Sequence, residues 1–376
     1  MKRRVAHITS VHSRTDARIF QKECAYFEKR NFEVFLLVAD SKADEELNNI
    51  KIVNVSSKPM NRIYRIFVTT KKLYLKALEL NCDLYLIHDP ELILIGLKLK
   101  TNGKKVIFDS HEDFPRQILE KDWIPFFFRK ILSYAADAYY GISLKKFDAI
   151  LTVTPHFVDI LRKSSDHVYM ITNYPLIEGE LTQYTYEDYC SRQNNLCYTG
   201  TVYKNSLQEN ILKAIEGIQK LNYYVVGNLN SKIKKMLSQF SSYEKVIYIE
   251  KVPKNELVKI YEKVSIGIVI FDYSPNVGYN KGTLGNNKIF EYMQYSLPII
   301  CTDFELWKAI IDKYKCGIYV NPHDIIGIKS AIEYLMENKQ EAYQMGQNGK
   351  RAVLEEYNWA TQESVMDSVV AGVFPI

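Results

Sequence analysis

An alternation that runs twice along the chain limits the fold more than any other feature: short apolar segments separated by stretches with apolar residues every three or four positions. In the first half, Arg4–Thr9, Glu33–Val38, Leu84–His88, Val106–Asp109 and Ala149–Val153 read as strands, and Asp16–Arg30, Ile63–Leu80, Glu91–Lys100 and Pro155–Arg162 read as helices. In the second half the expected strands are Leu196–Tyr198, Tyr223–Val226, Val246–Ile249, Ile266–Ile270, Pro298–Cys301 and Gly317–Val320. The expected helices there are Leu207–Lys220, Asn255–Lys263, Asn287–Tyr295 and Ile325–Glu337. Such alternation implies parallel sheets covered on both faces. With 376 residues, too many for one ordinary core, the expectation is an α/β chain of two Rossmann-like, doubly wound domains. Between residues 173 and 195 the periodicity is lost while polar residues and tyrosines collect, which reads as an interdomain connection with a solvent-exposed insertion. No internal repeat is visible.

In open α/β sheets a ligand sits outside the carboxyl ends of the strands. Two such domains facing a central cleft would place the active site in that cleft, so residues just after strands carry the functional expectation.

Composition narrows the classes. A 47% hydrophobic and 25% charged chain is not disordered. No run of roughly 18 apolar residues occurs, so no transmembrane helix is expected, and the start MKRRVAHITSVHS lacks the apolar core of a signal peptide. Six cysteines without a CxxC pair and seven histidines without an HxxxH pair give no support for a metal site, and fit reduced thiols in the cytoplasm. Residues 1–175 hold 28 Lys+Arg against 21 Asp+Glu, and the rest 21 against 23. A basic first half expects an anionic partner. Lys58–Leu80 carries six basic residues and one acid among interleaved apolar ones, which fits contact with anionic lipid; WIPFFFRK, Trp123–Lys130, would add an apolar anchor. A solvated helix face and a packed aromatic cluster explain the same residues. No nucleic-acid motif accompanies the modest basic bias, so nucleic acid is not an expected partner.

The segment richest in chemistry is GNNKIFEYMQYSLPIICTD, Gly285–Asp303. Asn286 and Asn287 end a loop, a helix begins near Asn287, and backbone N–H groups at a helix start receive phosphate readily, with Lys288 adding positive charge. Glu291 lies one turn on, where a carboxylate accepts hydrogen bonds from two ribose hydroxyls. A capped helix with an acid near its positive end accounts for the spacing equally.

NKIFEYM followed by LPII resembles the donor-binding signature of family-4 glycosyltransferases of the GT-B fold. HSRTDARIFQKECAYFEKRNFEV from His12, HDPELILIGLKLK from His88, GKKVIFDSHEDFP from Gly103, ITNYP from Ile171, LCYTGTV, YYVVGN and YIEKVPKNELVKIYEKVSIGIV are similar to the family in the same order, over nearly the whole chain. The resemblance implies a retaining, metal-independent enzyme without a cofactor. It would use a nucleotide-sugar donor, UDP or GDP foremost, and a glycan or lipid-linked glycan acceptor, as in surface polysaccharide biosynthesis, with the protein cytoplasmic or at the inner face of the membrane. It implies an acceptor-side domain over 1–175, a donor-binding domain over 176–357, and a helix within 358–376, around Trp359–Val370, that crosses back to the first domain.

Carried over by position, Glu291 would hold the donor ribose, with Asn286, Asn287 and Lys288 on the phosphate side and Lys251–Val252 near the base. Gly200, Thr201 and Lys204 belong to the loop that the family uses for the diphosphate. His111 would lie at the transferred sugar, and Arg18, His88 and Asp89 would line the acceptor side. Taken alone, HED at His111 reads as well as a polar cluster at a helix start. Two departures stand out: Thr283 replaces a frequent glutamate, and Thr201 and Ser206 stand near the usual basic positions. Lys204 or Lys288 would then substitute. These departures keep two other readings in view, a nucleotide-sugar epimerase and a non-catalytic sugar- or nucleotide-binding subunit.

Overall fold

The computed structural model describes residues 2–55, 61–121, 123–177, 179 and 181–374. The chain forms two compact units, one running to Asn173 and resuming at Gln362, the other spanning Tyr174–Thr361.

Unit 1 is built on eight strands: β1 (Arg4–Ile8), β2 (Glu33–Val38), β3 (Glu45–Leu47), β4 (Ile50–Asn54), β5 (Leu84–Ile87), β6 (Lys105–Ser110), β7 (Ala149–Thr152) and β8 (Val168–Met170). Their order is β3-β4-β2-β1-β5-β6-β7-β8, and all pairs are parallel except β3 with β4. Helices cover both faces, so the central strands are apolar on both sides and read as continuous hydrophobic runs. Ala6, Ile8, Ile87 and Phe108 on one side of the sheet join Leu73, Leu99 and Phe147 in a single core.

The hairpin β3–β4 was not expected. Asn48 and Asn49 both adopt positive φ, 53° and 59°, which is the two-residue turn that matches strand twist. Their sequence signal is a pair of asparagines before an I-K-I alternation. The exposed Glu-Glu-Leu of β3 leaves a short, charged edge, a pattern that discourages strand addition.

Unit 2 carries six parallel strands, β9 (Asn195–Thr199), β10 (Asn222–Val226), β11 (Val246–Ile249), β12 (Ile266–Val269), β13 (Ile299–Thr302) and β14 (Gly317–Val320), in the order β11-β10-β9-β12-β13-β14. Counted within the unit this is 3-2-1-4-5-6, the dinucleotide-binding arrangement. Alternate side chains build two cores, one per face: Cys197, Val269, Ile299 and Cys301 on one, Leu196, Tyr198, Ile268 and Ile300 on the other.

Described residues between 173 and 195 pack against unit 2 at several points. Tyr174 packs against Phe290 and Tyr357, with ring centroids at 4.8 and 5.4 Å. Thr185 and Asp188 form a capping box for the helix Tyr186–Ser191. That helix buries Tyr189 in the core of unit 2. The segment's tyrosines are therefore packing residues. Four further helices also exceed expectation: Phe126–Ser143, Ser231–Leu237, Glu305–Tyr314 and Lys339–Glu355. The last helix, Trp359–Val373, starts in unit 2 and continues into unit 1. All six cysteines are free thiols. Among the described residues, no helix is long and apolar enough to cross a membrane.

Candidate active site

In unit 1 the strand order reverses between β1 and β5, and side chains following those strands and β6 form a dense polar cluster. The carboxylate of Asp89, just beyond β5, accepts hydrogen bonds from the Ser10 amide at 2.6 Å and the Thr9 hydroxyl at 3.0 Å, both following β1. This ties the two loops at the switch point together.

Beside it runs a buried line of contacts. His7 Nδ1 lies 3.0 Å from His88 Nε2, and His88 Nδ1 lies 3.2 Å from Asp109 Oδ2. His111 Nε2 stands 2.7 Å from the same Asp109 oxygen. The Arg18 guanidinium grips Asp109 with two hydrogen bonds of 2.9 and 2.7 Å, donates to the Ile171 carbonyl at 2.8 Å and pairs with Glu23 at 2.9 Å. Of these side chains, His111 is the most exposed, with 21% of its surface in solvent, against 2% for Arg18 and none for Asp109, His88 and Glu23.

Local backbone geometry explains the pairing. Residues Ile19–Cys24 form a π-helical turn, in which the Glu23 amide donates to the Arg18 carbonyl at 2.9 Å. The wider turn puts residues five apart on one face, so Arg18 meets Glu23. Asp16 fixes the entry by accepting from the Arg18 and Ile19 amides.

Electrostatics in this cluster follow from burial and charge. Burial opposes ionisation of Asp109, but Arg18 and His111 outweigh it and hold the carboxyl well below its usual range. Burial, reinforced by Asp109, pushes Glu23 well above its usual range, so it is neutral beside the ionised Asp109. Burial also lowers His7 and His88, in His88 against the pull of Asp109, so both are neutral imidazoles. A neutral His88 donating from Nδ1 to Asp109 would leave Nε2 to accept from His7.

Two sets of ligand atoms, His7/Glu23/His88 and His88/Asp109/His111, each lie within 4.8 Å of one another. The Arg18 guanidinium lies against both carboxyl groups and supplies the counter-charge to the ionised Asp109.

Arg18, His88 and Asp89, expected to line the acceptor side, are at most 3% exposed. Their polar groups are engaged in hydrogen bonds inside the unit, and His111 is the more exposed member of the cluster. Sequence reading passed over Asp109, Glu23 and His7, whose signal was polar residues set within segments that otherwise read as core.

In unit 2 the order reverses between β9 and β12, and the expected donor residues gather on the loops at the carboxyl ends. Gly200, with φ at +104°, follows β9, and Gly227, with φ at +139°, follows β10. A Cβ on Gly227 would fall 2.3 Å from the Gly200 carbonyl oxygen, and one on Gly200 would fall 2.9 Å from Lys288 Cε. Both positions thus require glycine. The Lys288 ammonium lies 5.4 Å from the Tyr198 ring centroid and 5.5 Å from that of Phe271. Among the described residues it makes no salt bridge. Burial lowers its pKa while Glu291 opposes the shift.

The helix Lys288–Gln294 is only seven residues long, so its dipole is a minor charge source and the ammonium the major one. Asn286 Oδ1 accepts from the Lys288 amide at 3.1 Å. Asn287 Oδ1 is buried and finds no hydrogen-bond partner among the described residues. Glu291 accepts from Tyr261 at 3.1 Å; Tyr261 also contacts Thr199 Oγ1 at 3.2 Å, and the Thr199 amide donates to the Tyr292 hydroxyl at 3.0 Å. Tyr261, not singled out from sequence, thereby orients Glu291.

Thr283 is engaged locally, its hydroxyl accepting from the Gly285 amide at 3.0 Å. The Thr201 carbonyl accepts from the Tyr198 hydroxyl at 3.0 Å. Lys204 and Lys251 are exposed, and Val252 packs against the core. Of the two lysines proposed to replace the missing basic residues, Lys288 stands over the glycine turn, while Lys204 projects from it.

Residues 17–173 match the family model described as Glycosyltransferase Family 4, and residues 191–352 the model described as Glycosyl transferases group 1. No curated protein sequence matches the chain. Among solved structures, a sucrose-phosphate synthase from Thermosynechococcus elongatus is similar with a TM-score of 0.80 at 12% identity, covering 99% of each chain. HepE of Anabaena, in complex with UDP-glucose, gives 0.73 at 9% identity over 98% of this chain and 99% of the other. An E. coli protein named for trehalose-6-phosphate, bound with UDP-2-fluoro glucose, gives 0.71 at 12% identity over 99% of each. At such identities the likeness is one of fold.

Proposed function

We propose that this chain, by its two family matches and its fold a GT-B glycosyltransferase, moves a sugar from a nucleotide-diphosphate donor to a hydroxyl of a glycan or lipid-linked glycan with retention of configuration. What carries the reading is the turn in unit 2 where Gly200, Gly227 and the Lys288 ammonium converge. An ammonium that makes no salt bridge among the described residues, beside a glycine turn, suits a diphosphate. Lys288 and the amides at the start of its helix would neutralise the leaving diphosphate, which needs no metal for that task. Glu291, held by Tyr261, would receive the ribose hydroxyls. UDP is the first nucleotide to try, because two structural relatives are described with UDP-sugars.

In the same proposal His111, oriented by Asp109, positions or polarises the reacting sugar and the attacking hydroxyl, and a front-face displacement accounts for retention. The basic segment within residues 61–80 would hold the protein at the cytoplasmic face of a membrane during surface polysaccharide assembly; residues 58–60 of that stretch lie outside the described residues. The replacement of a glutamate by Thr283, together with its local hydrogen bond, favours one rival, a non-catalytic nucleotide-sugar-binding subunit.

Thermal-shift measurement against UDP, GDP, ADP and CMP, then their sugar conjugates, tests the donor site, because a ligand bound only by the folded state raises its stability. One nucleotide is expected to stabilise the protein and to lose its effect in Glu291→Ala. No shift with any of them, beside a working control, sinks the donor site. With an active donor–acceptor pair in hand, His111→Ala is expected to lower kcat at least ~100-fold and leave the nucleotide shift intact. Unchanged turnover would remove His111 from the chemistry, and binding without turnover across acceptors would favour the rival.

A further inference from the structure

The helix Phe126–Ser143 is folded the wrong way round for a helix bathed in water. Phe127, Ile131, Tyr134, Ala138 and Ile142, spaced by four, three, four and four residues, lie along one exposed face. Phe127 is 83% exposed, Tyr134 74% and Ile131 63%. Phe128, Leu132, Ala135 and Tyr139 form a second exposed row beside them. The buried positions are instead Ser133, Tyr140 and Ser143. A surface helix ordinarily turns its apolar stripe to the core, and an apolar surface of this extent marks an interaction site.

Charge decides what covers it. The Arg62 guanidinium lies 4.4 Å over the ring of Trp123, so the basic segment and the start of the aromatic helix meet there. Residues 61–80 and 123–143 together hold seven basic side chains and two acidic ones. Both acids are paired, Glu79 with Lys76 and Asp137 with Arg116. A second copy docking by two-fold symmetry would set this basic surface against itself. An anionic bilayer supplies the opposite charge, a hydrocarbon boundary for the aromatic and aliphatic rows, and the headgroup depth at which tryptophan and tyrosine settle.

We infer that Phe126–Ser143 is a membrane-insertion helix, lying in the plane of an anionic lipid surface with its Phe127–Ile142 face in the headgroup–acyl boundary and the neighbouring cations on the phosphates. The inference stands on this face and does not depend on the proposed sugar transfer.

Cosedimentation of the full chain with phosphatidylcholine–phosphatidylglycerol vesicles and with pure phosphatidylcholine vesicles tests it, with solution mass measured in parallel by light scattering. The wild type is expected to pellet with the anionic vesicles and far less with the neutral ones. A Phe127→Ser/Ile131→Ser/Ile142→Ser variant, altered only at exposed positions, is expected to bind at least ~10-fold more weakly. Its unfolding midpoint should match the wild type, which shows that the fold is kept. Lys71→Gln/Lys72→Gln is expected to weaken binding to the anionic vesicles alone. The inference falls if the triple variant binds vesicles as the wild type does, or if the wild type is a dimer in solution that the triple variant dissociates.

Discussion

The two units present sites of opposite character at the same place in the same kind of sheet. In unit 1 the polar groups beyond β1, β5 and β6 answer one another: Arg18 neutralises Asp109, Asp109 holds His88 and His111, and Glu23 stays protonated. In unit 2 the corresponding loops offer a cation stacked on rings, an asparagine side-chain oxygen without a partner among the described residues, and two glycines pressed together. The first site is preorganised by internal charge and presents a single imidazole. The second is short of negative charge. The switch point of a doubly wound sheet thus takes two different polar environments in the two units, and the side chains decide which.

The sharpest test of that contrast is removal of the central cation from each unit. Arg18→Leu leaves Asp109 ionised and buried without its partner, a change that costs about 3–5 kcal/mol. Urea unfolding is expected to show that loss, and an unchanged midpoint would mean that the cluster is not preorganised by Arg18. Lys288→Met removes a cation whose burial is unfavourable, so the stability of the free protein should hold or rise. Nucleotide affinity is expected to fall by about 1.5–3 kcal/mol, the loss of a charged hydrogen bond. A stability loss in Lys288→Met as large as that in Arg18→Leu would erase the distinction.

The smallest expected effect is in the pH dependence. His7 and His88 have folded values below their ordinary 6.5, so below that pH the unfolded chain takes up protons first and stability is lost as pH falls. Glu23 works the other way, since its folded value lies above 4.5 and the unfolded chain releases that proton first as pH rises. Between these two values the histidines outnumber the glutamate. Glu23→Gln is therefore expected to steepen the acid loss by up to about 1.4 kcal/mol per pH unit. Chemical denaturation across that range checks it, and an unaltered slope would show Glu23 to be ionised in the folded protein.

Most of the sheet architecture was legible because parallel strands buried on both faces are short apolar runs, and Glu33–Val38, Leu84–Ile87 and Ile266–Val269 fall within a residue of where expected. The loop before the helix Lys288–Gln294 was legible for the same kind of reason: Gly285–Asn287 puts polar residues where a strand–helix connection must turn. Phe126–Ser143 escaped as a helix, although its first residues had read as an apolar anchor, because reading amphipathicity assumes that the apolar stripe faces inward, and here it faces out. His7 and Glu23 escaped because each lies in a segment whose other residues pack in the core. Tyr189 and its neighbours looked like loop residues until the capping box at Thr185 showed why the chain turns helical there.

Unit 1 is made from two separated stretches of chain. The Asp367 carboxylate accepts from the Tyr26 hydroxyl at 2.8 Å and from the Arg30 guanidinium at 2.9 Å, and the Gln362 side chain accepts from the Thr172 amide at 2.8 Å. Met366, Val369 and Val373 are buried. On a ribosome, these partners of Tyr26, Arg30 and Thr172 emerge only after all of unit 2 has been made. Unit 2 is contiguous and can close on itself first, whereas the earlier-made unit must wait with an open flank, which makes the helix Trp359–Val373 the latch that ends its exposure to chaperones and proteases.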